Sequence, residues 1–187
     1  DVASGKVLPD TVEWVKYSGL AWAKDGSGFY YSRFPEPKAG EEFQATTTNQ
    51  AIYFHKIGTP QSADRLMFAD PERPKLGHFA EVSSDGRWLI VTTSSGTDEK
   101  YEIRLIDLTK PESEPIVMVG EMTNDWSYAG NVGTRFYWRT DTEAPRSRIV
   151  VTDPIRKIAT REVVPQDEAT LKHVAIVGDA LIATYLD

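Results

Sequence analysis

The 187-residue chain is predicted to be all-β, a β-propeller segment of four-stranded antiparallel blades with about three complete and partial ones at both ends. Three observations predict this. The stretch from Val15 to Ser32 reads as strand, Asp25-Gly26 turn, strand. Asp-Gly between apolar runs is a strong hairpin signal, because Gly tolerates the positive φ such turns need. The pattern returns at Ala80 to Val91 around Asp85-Gly86, and turn-to-turn distances along the chain are roughly sixty, forty-six and forty-seven residues. Finally, no window of a dozen residues carries a 3.6-residue apolar period.

Taken in order, the candidate strands are 16–23, 28–33, 51–57, 64–69, 78–83, 87–93, 101–107, 115–119, 126–130, 134–139, 147–152, 159–164, 172–177 and 180–186. They are short, rich in β-branched and aromatic residues, and bounded by Gly, Pro, Asp, Asn or Ser. The nearest helical candidate, Gln166 to His173, is too short to stand against them. Asp85 is followed by Asp107 after 22 residues, and Asn131 by Asp153 after another 22, whereas Asp25 leads to His55 after 30. The extra length is an inserted loop, Pro35 to Asn49. This arithmetic divides one propeller domain into the tail of a blade (1–10), blades at 11–70, 75–120 and 121–166, and the start of a blade at 168–187. Ragged ends suit a segment of a larger propeller. A closed four-blade ring, with the first residues completing the last unit, would also remove exposed edges.

Composition narrows the function classes. Apolar residues at 40% and charged residues at 26% fit an ordinary globular protein. A net charge of −7 with scattered basic residues argues against nucleic acid. No apolar run approaches a membrane span, and no signal peptide is recognisable, so the expected setting is cytoplasm or periplasm. Asp1 in place of Met suggests a processed or trimmed chain. With no cysteine, disulfides, thiolate metal sites and Cys nucleophiles are excluded together.

Catalytic chemistry is hard to find in these residues. Gly26-Ser27-Gly28 is a turn without the spacing or the following helix of a nucleophile elbow. His55, His78 and His173 lie on separate strands without metal-ligand spacing and read as packing or surface residues. Asp25, Asp85, Asp107 and Asp153 recur at equivalent places, which favours a turn role repeated by the architecture. Core packing is the expected role of most aromatics among Tyr17, Trp22, Phe29, Tyr30, Trp88, Trp126, Tyr137 and Trp138. No catalytic residue, metal site or cofactor is expected in the chain.

Several motifs in order carry a resemblance. The run Val15 to Trp22 with Asp25-Gly26 and Gly28 to Tyr31 is similar to a blade opening of the prolyl oligopeptidase family. So are Ile52 to Asp64, Pro74-Lys75, Ala80 to Arg87 and Ser95 to Asp98. The Gly58-Thr59-Pro60-Gln61-Ser62 run resembles the prolyl endopeptidase branch more than the oligopeptidase B branch. Similarity weakens after about residue 110 but stays in register to Tyr185-Leu186.

The resemblance implies the middle blades of a propeller that restricts entry to short peptides and lines part of the substrate cavity. It implies as partners a short proline-containing peptide and an α/β-hydrolase domain of the same parent chain, which carries the Ser-Asp-His triad absent here. It also implies four substrate-binding positions. Tyr17 matches an aromatic that packs on residues upstream of proline, and Gly77 a position often held by Met. Ser94 falls where some members carry arginine, and Thr97 where some carry cysteine. His78 and Phe79 would then be neighbours able to stand in for the apolar wall missing at Gly77. The rival reading is a non-catalytic propeller that binds a protein partner. On either reading, the open edges and blade faces of this segment taken alone would leave it marginal or oligomeric.

Overall fold

The computed structural model describes residues 1–40, 47–110, 112, 114–178 and 180–186. Each of the fourteen predicted strands has a counterpart among these residues, in three four-stranded sheets and one hairpin. The first sheet joins β1 (Ala21–Trp22), β2 (Gly28–Arg33), β3 (Ala51–Lys56) and β4 (Arg65–Ala69) in chain order. The second joins β5 (Leu76–Val82), β6 (Trp88–Ser95), β7 (Glu102–Asp107) and β8 (Ile116–Val119). The third joins β9 (Trp126–Val132), β10 (Arg135–Thr140), β11 (Arg148–Asp153) and β12 (Ile158–Val164), and β13 (Thr170–Val177) pairs with β14 (Ala180–Leu186). Neighbours in sequence are neighbours in each sheet, as in an up-and-down meander. The chain divides into two compact units, Asp1–Val82 with Val91–Gly96 and Ser83–Ile90 with Thr97–Asp187.

Turn chemistry explains the repeat. Gly26 and Gly86 take φ of 71° and 75°, which the preceding Asp stabilises. Asp25 Oδ1 accepts the Ser27 N–H at 2.9 Å, and Asp85 Oδ1 accepts the Arg87 N–H at 3.1 Å. The recurrent acids at the ends of β7 and β11 also close turns. Asp107 Oδ1 accepts from the Thr109 N–H and hydroxyl, and Asp153 Oδ1 accepts the Arg156 N–H. In the first sheet His55 occupies the corresponding place.

One expectation needs correcting. The strand expected over 16–23 contracts to Ala21–Trp22, because Trp14 and Tyr17 adopt left-handed φ of 59° and 55° that no strand can contain. Gln166 to His173 is not helical; β13 begins at Thr170 and pairs with β14. A 3-10 turn at Gln61–Ala63 separates β3 from β4. The inserted loop lies partly outside the described residues, at 41–46.

The second unit holds an aromatic-rich core of Trp88, Ile90, Ile103, Leu105, Phe136, Trp138 and Val150. Trp88 meets Phe136 edge-on at 5.6 Å between centroids, and Phe136 stacks on Trp138 at 6.2 Å. Alternation along β10 puts Phe136, Trp138 and Thr140 inward. Trp138 Nε1 donates to Thr152 Oγ1 at 2.9 Å, so the indole enters the core without losing a hydrogen bond. In the first unit β2 is buried on both faces from Gly28 to Ser32.

Candidate functional site

Three of the four positions implied for substrate contact meet in the first unit, around a residue the sequence reading did not single out. Gln50 is buried immediately before β3. Its Nε2 donates to the Lys16 carbonyl at 3.0 Å and the Tyr17 carbonyl at 3.4 Å, while its Oε1 accepts the His78 N–H at 2.8 Å. A single amide thus ties the Tyr17 loop to β5. A methyl group at Gly77 would stand 3.4 Å from Gln50 Oε1, 3.7 Å from the Phe79 ring and 4.0 Å from the Ser94 carbonyl. Gly77 therefore leaves a shallow space floored by Gln50 and Ser94.

Tyr17 is 67% exposed, so the expected core role does not hold for this aromatic. Its positive φ is an outlier for a bulky residue, costing about 1–3 kcal/mol that the surrounding structure must offset. Gln50 supplies part of that hold. Ser18 Oγ supplies more by accepting the Ser32 N–H at 2.8 Å, and the Lys16 ammonium lies 5.4 Å from the Tyr17 ring centroid. Trp22, expected among the core aromatics, is likewise exposed. Phe29, Tyr30, Trp88 and Trp138 are buried.

Ser94 is 2% exposed, whereas Thr97 is exposed in the turn after β6, in the second unit. His78 and Phe79 part company. Alternation along β5 turns His78 into the interior, where its Nδ1 lies 3.0 Å from Thr93 Oγ1 and its ring meets Phe68 edge-on at 5.0 Å. His78 therefore cannot stand in for the apolar wall missing at Gly77. Phe79, on the same face as Gly77 and partly exposed, can.

The only ionisable cluster of catalytic type in the first unit's described residues is closed to solvent. His55, fully buried, sets Nδ1 at 2.7 Å from Asp64 Oδ1 and Nε2 at 3.3 Å from Asp10 Oδ1. Asp64 Oδ2 accepts the Tyr31 hydroxyl at 2.6 Å, and the Tyr31 hydroxyl oxygen accepts from Gln61 Nε2 at 2.9 Å. Gln61 also exchanges two hydrogen bonds with the Glu13 backbone. The Gly58 N–H and then His55 hold the Asp10 carboxyl below the usual carboxylate range. Burial first, and then the bond to Asp64, pushes the Tyr31 phenol well above its ordinary value. A His between two carboxylates looks like a proton relay, but no substrate atom can reach it. It latches residues 10–13 onto the first sheet. Among the described residues no group of three or more His, Asp and Glu could hold a metal ion. No helix there is long and apolar enough to cross a membrane.

The family model described as "Prolyl oligopeptidase, N-terminal beta-propeller domain" matches residues 1–187. The chain belongs to this family. It is 33% identical to prolyl oligopeptidase A of Amanita bisporigera over 95% of its own length and 25% of that protein's. With the prolyl endopeptidase of Elizabethkingia meningoseptica it shares 34% identity over 81% of this chain and 21% of that one. Among solved structures, one from a study of two prolyl endopeptidases superposes with a TM-score of 0.89 at 37% identity, covering 100% of this chain and 26% of that chain. Prolyl oligopeptidase B from Galerina marginata, bound to a 35mer hydrolysis and macrocyclization substrate, superposes at 0.87 with 29% identity over 98% and 26%. The chain thus spans about a quarter of the length of the relatives it matches. Its four sheets are a portion of the family's propeller.

Proposed function

We propose that this chain is the propeller portion of a prolyl oligopeptidase-type serine endopeptidase that cleaves short peptides after proline, with the propeller gating entry and lining the substrate cavity. The catalytic triad belongs, on this reading, to an α/β-hydrolase domain of the same parent chain. The observation that carries the proposal is the exposed, left-handed Tyr17, held by Gln50 beside the space at Gly77, in a chain matched by the family along its whole length. Strained backbone concentrates at sites that touch ligands. Tyr17 and Phe79 are the apolar wall against the substrate, Gly77 the space between them, and Ser94 its floor.

The test uses the intact gene product. A fluorophosphonate probe should label one serine, and a Gly-Pro reporter peptide should be cleaved after proline. Tyr17→Ala should lower kcat/KM for the reporter by about two- to tenfold, the value of one aromatic contact, without lowering Tm. A product that takes no probe and cleaves nothing would sink the peptidase reading and leave a binding propeller.

A further inference from the structure

We propose that a pocket between β9 and β13 in the second unit binds an acidic side chain of a peptide. The peptide part of this inference rests on the proposed function; the charge part does not. The pocket encloses about 230 Å³ and is lined by Ser127, Tyr128, Ala129, Arg139, Lys172, His173 and Val174. That volume suits a single acidic side chain rather than a cofactor.

The backbone is shaped for this pocket from both sides. On β9, Tyr137 pairs with Gly130 and Trp138 with Tyr128, so Ala129 is the extra residue of a bulge. On β13, Leu171 pairs with Tyr185 and His173 with Thr184, so Lys172 is the extra residue of a second bulge. Both bulged residues line the same pocket. A bulge interrupts the alternation of side chains and re-aims them. Lys172 and His173, consecutive in sequence, both border this cavity at the bulge. The two strands are held close above it, because Gly130 leaves no room for a Cβ beside Ile176.

The charge follows the same design. Arg139 is held by Asp125 at 2.5 Å and donates to Ser127 Oγ at 2.9 Å, so its guanidinium is fixed at the pocket wall. Asp125 offsets that charge. Lys172 and His173, both exposed, have no side-chain ion pair among the described residues. On a chain of net charge −7, a pocket bordered by the Lys172 ammonium, the fixed Arg139 guanidinium, the His173 imidazole and the Ser127 hydroxyl presents hydrogen-bond donors that favour an anion. Tyr128 and Val174 add an apolar wall that inorganic anions would not use and a peptide would.

Calorimetric titration of the intact gene product with a Gly-Glu-Glu-Gly peptide acetylated at its N-terminus and amidated at its C-terminus, and with its glutamine counterpart, tests this. The acidic peptide should bind about fivefold or more tightly than the neutral one, and 0.5 M salt should erase the difference. The variant Lys172→Gln/His173→Gln, at exposed positions, should abolish the preference, whereas Lys157→Gln, which also removes one lysine charge, should keep it. Equal affinities for the two peptides, or a preference that survives Lys172→Gln/His173→Gln, would overturn the proposal. Free glutamate binding as tightly as the acidic peptide would overturn its peptide part and leave a small-anion site. Cleavage of a neutral Gly-Pro reporter is scored separately, so failure of the peptidase reading is distinguishable from failure of the pocket.

Discussion

Asp64 is the residue on which the first sheet's polar network depends, and replacing it should separate two kinds of loss. Its side chain has no solvent exposure and accepts two short bonds, from His55 Nδ1 at 2.7 Å and the Tyr31 hydroxyl at 2.6 Å. Alanine removes the carboxylate and leaves His55 Nδ1 and the Tyr31 O–H buried without the group they bond, which costs about 3–5 kcal/mol. Asparagine differs in kind. Its carbonyl can still accept from Tyr31, and its amide can donate to a neutral His55 whose remaining proton faces Asp10. Only the charge assistance is lost, about 1–2 kcal/mol. The assay is hydrogen–deuterium exchange read on peptides covering 28–33 and 51–56, which reports local opening and does not need the whole molecule to melt in one step. At about 1.4 kcal/mol per decade, Asp64→Ala should speed exchange there by roughly two to three and a half decades, and Asp64→Asn by about one. Equal effects of the two substitutions, or an alanine effect below one decade, would refute the idea that paired burial rather than packing holds this sheet.

Three further outcomes follow from particular side chains. Gly28→Ala should destabilise the first sheet by about 2–3 kcal/mol, since the added Cβ would overlap the His55 carbonyl and the Phe54 ring; an unchanged Tm would show that the strands can part at no cost. Trp138→Phe and Thr152→Val each remove the buried indole hydrogen bond and should cost about 1–2 kcal/mol, with the double variant clearly less than additive in urea unfolding. Burial raises the phenols of Tyr30 and Tyr31, so both stay neutral in the folded chain where the unfolded chain would ionise them near pH 10. Their contribution is complete below that pH and is lost as pH rises above it. Tm should therefore fall between pH 9.5 and 11.5, roughly across that ionisation, and less steeply in Tyr31→Phe; an unchanged slope would show that Tyr31 ionises freely.

How much of this the sequence disclosed depends on the range of each interaction. Strand positions were legible because they follow local rules: short apolar runs, and Asp-Gly turns whose side-chain acceptors lie two residues away. The repeat of Asp107 and Asp153 was legible as turn chemistry for the same reason. Local rules fail at Tyr17, where Val15 to Trp22 has good strand composition. The backbone there is left-handed because Gln50, 33 residues on, binds its carbonyl. They fail at His55 too, whose partner Asp10 lies 45 residues away in a stretch without a strand.

The paired bulges mark the same boundary more sharply. Trp126 to Val132 and Thr170 to Val177 read as ordinary strands, and the extra residue in each becomes visible only against the register of its neighbour. A single inserted residue changes neither composition nor apolar pattern enough to be seen, yet it decides which side chains share a cavity. Gly130 was the one local sign, since a glycine inside a strand often marks a bulge or a close approach, and here it marks both. In a sheet protein with no catalytic motif, recognition is therefore written in register, and register is set by pairs of strands rather than by either strand alone.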